Sequence, residues 1–268
     1  MHIGLMIRNM GDQSTREIMT GAALIAEEME FESIWVVDHI AIPPEDSEGS
    51  GGRYVDILTT LAWLAGLTSN INIGSGVLIA PYREILPTAK QIASIQELSG
   101  NRLLLGIGLG WMDAEFKALG VKRKERGKKT DALLTFLDTA FSQDEVELNE
   151  QKFLFKPRPT KPPIYIAGSK DYSIKRAAKH GDGWIPIVNS PEEFQEDLTK
   201  YKELCDSLNK PSNKVNIVSR LDLNDKILSK EKLSKFSHMG IERFICGFPY
   251  LDLKDFINKA DLIKTLVK

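Results

Sequence analysis

Short apolar runs alternate along the chain with stretches in which apolar residues recur every three or four positions. The runs are His2–Ile7, Ser33–Asp38, Ile71–Ile79, Arg102–Gly108, Ile164–Ala167, Gly183–Val188, Val215–Leu221 and Arg243–Phe248. They are rich in Ile, Val and Leu and lack a regular polar alternation. That pattern predicts strands covered on both faces, as in a parallel sheet flanked by helices. The intervening stretches predict helices. Ser14 and Glu17 form a Ser-x-x-Glu capping box, followed at helical spacing by Ile18, Ala22, Ile25 and Met29. Further helices are expected over Asp56–Leu67, from Pro87 to just before Gly100, and over Thr130–Phe141, Asp171–Lys179, Pro191–Leu208, Ser229–Ser237 and Leu253–Val267.

Eight strand–helix units result, most of them about 20 to 40 residues long, as expected of βα repeats. The expected architecture is α/β, a (β/α)8 TIM barrel formed by one domain over residues 1–268; a doubly wound sheet is the alternative. The interval between the fourth and fifth runs is longer than the others and marks an insertion. Within it, Val146–Phe155 reads as a hairpin turning at Asn149-Glu150, and the prolines of Lys156–Pro163 force extended chain. In a barrel, chemistry gathers where strands end, so functional residues are expected just after each apolar run.

Composition narrows the classes. The 268 residues are 42% hydrophobic and 27% charged, with 35 basic against 37 acidic side chains and a formal net charge of −2. Nothing global favours nucleic acid or an anionic membrane as partner. No 18-residue apolar stretch and no secretory leader pattern are present, so a cytoplasmic protein without a membrane segment is expected. Cys205 and Cys246 are isolated in sequence, which argues against a zinc ribbon or a Cys-x-x-Cys redox pair. The four histidines (His2, His39, His180, His238) do not cluster, so no metal site is expected. Basic Lys122–Lys129 has no interleaved aromatics and reads as a solvated helix start.

The strand ends supply the chemistry. Asp38-His39 follows the second run, and a histidine there can exchange a proton near neutral pH. The acidic, glycine-rich loop from Ile42 to Gly52 suits either a lid or an unstructured surface loop. Gly74-Ser-Gly-Val77 lies inside the third run, where glycines mark a bulge or a close ligand; Arg83 beyond it could meet an anion. Gly106-Ile-Gly-Leu-Gly-Trp111 lacks the spacing of a dinucleotide fingerprint. It reads instead as a flat platform where Gly108 and Gly110 leave room for a planar ring beside Trp111. Ala167-Gly-Ser-Lys170 precedes a helix and could cradle a phosphate. His180-Gly-Asp-Gly-Trp184 belongs to the opposite face, with Gly181 as a helix cap.

Together, Trp35-Val-Val-Asp-His39, the glycine-rich third run ending in Pro81-Tyr-Arg83, and the stretch from Lys90 to Trp111 resemble the bacterial luciferase-like family of flavin- and deazaflavin (F420)-dependent oxidoreductases and monooxygenases. The Pro-Pro-Glu-Asp loop after His39 is similar to the branch of probable F420-dependent oxidoreductases, and Ala177–Trp184 matches the family's segment before strand six. The resemblance spans nearly the whole chain. It implies a barrel, usually a homodimer, with a flavin-type ring at the strand ends. The implied cofactor is FMN or coenzyme F420, with NAD(P)H as a conceivable reductant and a small organic molecule as substrate. It further implies a cis peptide at Gly76–Val77 whose bulge backs the ring. His39 and Asp38 would lie at the reactive face, Gly108, Leu109, Gly110 and Trp111 along the edge, and Ala167, Gly168 and Ser169 near the ribityl phosphate. Trp111 stands where the sugar-phosphate dehydrogenase branch has a Glu, which argues against sugar-phosphate oxidation. Two other readings remain. One is a non-catalytic flavin-binding barrel. The other is a flavin-free phosphate-binding lyase or isomerase, which would want a lysine inside a strand, and none of the eight runs holds one.

Overall fold

The computed structural model describes residues 1–212 and 214–267. The eight barrel strands are β1 (His2–Met6), β2 (Ser33–Val36), β3 (Asn72–Ile79), β4 (Leu103–Gly108), β7 (Ile164–Ala167), β8 (Gly183–Ile185), β9 (Asn216–Arg220) and β10 (Arg243–Gly247). The pair β5 (Glu145–Leu148) and β6 (Gln151–Leu154) forms a separate antiparallel hairpin. The hairpin is the insertion expected between the fourth and fifth barrel strands, and it turns where expected, with Asn149 and Glu150 at φ 51° and 63°.

The barrel strands are parallel and ordered β8-β7-β4-β3-β2-β1-β10-β9. The remaining seam is sewn by Trp184 N to Lys214 O at 3.0 Å, Val218 N to Pro186 O at 2.9 Å and Val188 N to Val218 O at 2.9 Å. The eight strands therefore form a nearly closed (β/α)8 barrel, as expected, and the doubly wound alternative falls away.

Nine α-helices are present among the described residues: α1 (Arg16–Glu28), α2 (Ile57–Leu67), α3 (Ile85–Leu98), α4 (Asp113–Ala118), α5 (Arg126–Ser142), α6 (Asp171–His180), α7 (Pro191–Ser207), α8 (Lys226–His238) and α9 (Leu253–Leu266). Four starts differ from the sequence reading, that of α8 falling at Lys226, three residues before Ser229. Thr15, not Ser14, caps α1 by accepting from Ile18 N at 3.2 Å. Ser14 instead donates to Gly11 O and accepts from Arg53 Nε. Helix α3 begins two residues before Pro87. Helix α5 begins at Arg126, inside the basic stretch.

Two apolar layers result. The outer one packs strands against helices through residues such as Ile34, Ile73, Ile92, Leu105 and Leu137. The inner one plugs the barrel with Trp35, Leu104, Tyr165, Ile185 and Ile245. Trp35 explains two strand glycines. A Cβ on Gly4 would lie 2.6 Å from its Nε1, and one on Gly74 would lie 2.3 Å from its Cε3. The gap at Gly74 thus holds a protein side chain, not a ligand. Above the plug, half-buried Met6, Val77, Ala167 and Val218 form the apolar floor of the barrel mouth.

Candidate functional site

The rim over β2, β3 and β4 is tied together by two buried carboxylates. Asp38, at the end of β2, accepts from Ile79 N at 2.8 Å and from Arg83 through both oxygens at 2.6 and 2.9 Å. Arg83 also donates to Asp56 Oδ2 at 2.8 Å, and Asp56 caps α2 by accepting from Thr59 N. Burial pushes the Asp38 carboxyl up against the pull of Arg83. Arg83, expected as an anion ligand, is thus engaged by the protein's own carboxylates. Asp38 makes no hydrogen bond to His39; it braces the rim on which His39 sits.

The second carboxylate, Glu115 of α4, is fully buried. Its Oε1 accepts from Ile40 N at 2.6 Å and Ala41 N at 3.0 Å. Its Oε2 accepts from Tyr82 Oη at 2.9 Å and meets His39 Nδ1 at 2.8 Å. Burial alone would raise the Glu115 carboxyl, but these four donors outweigh it and hold the group below its ordinary value. An ionised carboxylate only accepts, so Nδ1 of His39 carries the proton and Nε2 is the nitrogen free to meet a ligand. His39 also packs against Tyr54, with ring centroids 4.9 Å apart, and edge-on to Trp111 at 6.2 Å.

The glycines after β4 have a local explanation. The register between β3 and β4 shifts between Ser75 and Leu78, and the Gly76–Val77 peptide is cis. This bulge presses on β4. A Cβ on Gly106 would sit 2.2 Å from Ser75 O, and one on Gly108 would sit 2.6 Å from Val77 Cγ2. Gly110 has φ +75°, and its Cβ would meet Ile79, Phe116 and Tyr82. The space read as a ring platform on these glycines is filled by Val77 and its neighbours. Leu109 and Gly110 are half-buried, whereas Trp111 is 64% exposed at the rim.

Across the mouth, Gly168 has φ +108° and its carbonyl accepts from Trp184 Nε1 at 2.7 Å. Ser169 and Lys170 are exposed at the start of α6, and Asp171 occupies its first turn. Gly181 does cap α6, with an extended rather than left-handed backbone. Arg158, a basic residue ahead of the fifth barrel strand, pairs with Asp144 at 2.7 Å beside the hairpin. The loop after His39 is folded: a 3-10 turn spans Pro44–Asp46, and Arg8 Nη2 donates to Gly49 O at 2.9 Å.

Residues His39, Gly76, Val77, Gly108, Gly110 and Trp111 therefore converge on one half of the mouth, and Ala167 shares its floor. A cavity of about 470 Å³ opens beside them over β1, β8, β9 and β10. Its lining includes Met6, Val37, Val218, Arg8, Arg220 and Lys232. Sequence reasoning missed Glu115, Tyr82, Asn9 and this basic trio. Asn9 is buried and bonds to both the N–H and the C=O of Val37 and to Val55 O, fixing the β1 and β2 exits to the end of the loop. Only position, a few residues beyond a strand end, could have pointed to Arg8, Asn9 and Arg220.

The fold and site together define an eight-stranded parallel barrel with a bulge in its third strand and a carboxylate-held histidine on its rim. The family model for luciferase-like monooxygenases matches residues 1–223, and the chain belongs to that family. A protein of Mycobacterium tuberculosis of uncharacterised function is 27% identical over 249 residues, covering 85% of this chain and 84% of its own. Two solved structures share the fold. One is an F420-dependent secondary alcohol dehydrogenase in complex with an F420-acetone adduct, at a TM-score of 0.79 and 16% identity, covering 99% of this chain and 97% of that one. The other is the oxygenating constituent of 3,6-diketocamphane monooxygenase from Pseudomonas putida in complex with FMN, at a TM-score of 0.66 and 14% identity, covering 82% and 68%. No helix among the described residues is long and apolar enough to cross a membrane.

Proposed function

We propose that this chain is a flavin- or deazaflavin-dependent oxidoreductase acting on a small organic substrate at the barrel mouth. The observation that carries the reading is His39, held through Nδ1 by buried Glu115 at the rim of a luciferase-like barrel. The residues present fit a planar cofactor. The floor of Met6, Val77, Ala167 and Val218 is apolar, as a ring face requires. Val77, Leu109 and Trp111 would flank the ring, with Gly108 and Gly110 giving Val77 and Ile79 the room to pack beneath it. Ala167, Gly168 and Ser169 would offer backbone and hydroxyl donors to its phosphate, with Lys170 adding charge. Asp171 opposes an anion there and keeps that attraction modest.

Bound at this seat, FMN supplies hydride or oxygen chemistry, whereas the deazaflavin supplies hydride transfer alone. The protein's own part is positional and protonic. Glu115 orients the imidazole and keeps Nδ1 protonated. Nε2 of His39 then takes or gives the proton that balances hydride movement at a substrate oxygen. Asp38 and Arg83 hold the strand ends on which His39 stands. Tyr54 and Trp111 flank the imidazole.

The test is a substrate screen with each cofactor. The chain loaded with F420 is challenged with small secondary alcohols, and the chain given reduced FMN and oxygen is challenged with small ketones. A substrate-dependent change in cofactor absorbance that falls about a hundredfold or more in His39→Ala, with cofactor affinity unchanged, supports the role. Cofactor retained with no substrate- or NAD(P)H-dependent redox change would favour a non-catalytic flavin-binding barrel.

A further inference from the structure

We propose that the cavity beside the ring seat is an anion subsite: Arg8, Arg220 and Lys232 receive a carboxylate or phosphate carried by the substrate, whose reacting carbon lies over Met6 and Val77. The inference rests on the oxidoreductase reading and names the substrate class it implies.

Four observations support it. The cavity's volume of about 470 Å³ suits a small organic molecule. Among the described residues, three cations line it and no acidic residue does, in a chain whose overall charge is −2. The excess of positive charge is therefore local. The cations come from separate elements, Arg8 after β1, Arg220 at the end of β9 and Lys232 on α8, and Lys232 is steered into place by donating to Arg220 O at 2.9 Å. None of the three is neutralised by an ion pair among the described residues.

Two of the cations are partly withdrawn from solvent. Arg8 spends Nη2 on Gly49 O, while its Nε is buried without a partner. Burial lowers the Lys232 ammonium from its ordinary value. An oxyanion in the cavity would offset the burial of the Lys232 ammonium. The floor continues from this cavity to the bulge, because Met6 lines the cavity and its sulfur lies 3.6 Å from where a Cβ on Gly76 would be. A molecule anchored by its anion would thus extend toward His39 and Val77.

The same chemistry could come from the cofactor's own phosphate, so the experiment separates the two sources. Inorganic phosphate is titrated calorimetrically into the full chain at low ionic strength, using wild type, Arg220→Gln, the Arg220→Gln/Lys232→Gln double variant, and Lys170→Gln as a control beside Ser169. FMN and F420 affinities are measured on the same four proteins, and melting temperatures confirm folding. The expected result is saturable phosphate binding that weakens about tenfold for each cation removed. It is unaffected by Lys170→Gln, and cofactor affinity is retained in the Arg220 and Lys232 variants, whereas Lys170→Gln weakens cofactor binding alone. Absence of saturable binding, equal binding in the double variant, or cofactor affinity falling in step would each overturn the proposal. Failure of both cofactors to bind would overturn the oxidoreductase reading and leave the phosphate result standing on its own.

Discussion

Replacing Glu115 by Gln changes one atom in a fully enclosed site, and its consequences can be worked out bond by bond. The two backbone donors, Ile40 N and Ala41 N, cannot rotate away, so the amide oxygen must face them. The amide nitrogen then faces Tyr82 and His39. It donates, so His39 Nδ1 has to accept, and the imidazole proton moves to Nε2. Tyr82 must also turn its hydroxyl proton elsewhere. Two hydrogen bonds to a charged acceptor, each worth about 1.5–3 kcal/mol, become neutral ones worth about 0.5–1.5 kcal/mol. The stability loss expected is about 2 kcal/mol in total. At about 2–4 °C per kcal/mol for a chain of this size, melting drops by about 4–8 °C. Glu115→Ala strands both backbone N–H groups and loses about 4 kcal/mol or more. Calorimetry gives the stabilities, and nitrogen-15 NMR of the histidine ring reads the tautomer directly. Wild-type stability in Glu115→Gln, or an unchanged ring-nitrogen pattern for His39, would refute the reasoning.

Other outcomes follow from the same geometry. Arg83→Met leaves Asp38 buried without its bidentate partner, and a loss of about 3–5 kcal/mol is expected in denaturant unfolding; the double change Arg83→Met/Asp38→Asn should recover much of it. Gly108→Ala drives a Cβ to 2.6 Å from Val77 Cγ2 and should cost about 1–3 kcal/mol, with Val77→Ala relieving it in a double-mutant cycle. The folded-state value of Glu115 lies below its ordinary 4.5, so its stabilisation is present above that pH and is lost as pH falls through the folded value. The melting-temperature gap between wild type and Glu115→Gln should therefore narrow on acidification, and a constant gap would contradict the assignment.

The barrel was legible because its strands are covered on both faces, which leaves each an almost unbroken apolar run. The insertion was legible for a related reason: Asn149-Glu150 interrupts alternating chain, and the turn forms there. The site was legible only in part. Asp38, His39, Arg83 and the glycines were visible one by one at strand ends. Which of them meet is a tertiary matter, since Asp38 and Arg83 lie 45 residues apart and His39 and Glu115 lie 76 apart. Glu115 sits within α4, a helix of six residues whose rotation is set by Phe116 packing on Tyr82, with ring centroids 5.2 Å apart. Along the sequence it looks like any surface acid. The glycines misled in the opposite direction. A gap that suits a ligand also suits Trp35 or Val77, and only the structure shows which fills it.

Equilibrium titration of the purified full chain with FMN and with F420, followed by cofactor absorbance and tryptophan fluorescence, asks whether a ring binds at the barrel mouth. Trp111 is exposed at the rim, while Trp35 and Trp184 are buried, so quenching that disappears in Trp111→Phe locates the ring at the mouth. Saturable binding of one of the two cofactors, one per chain, with Trp111-dependent quenching, is the expected result. Binding of neither cofactor, or binding that leaves Trp111 unchanged, would contradict it.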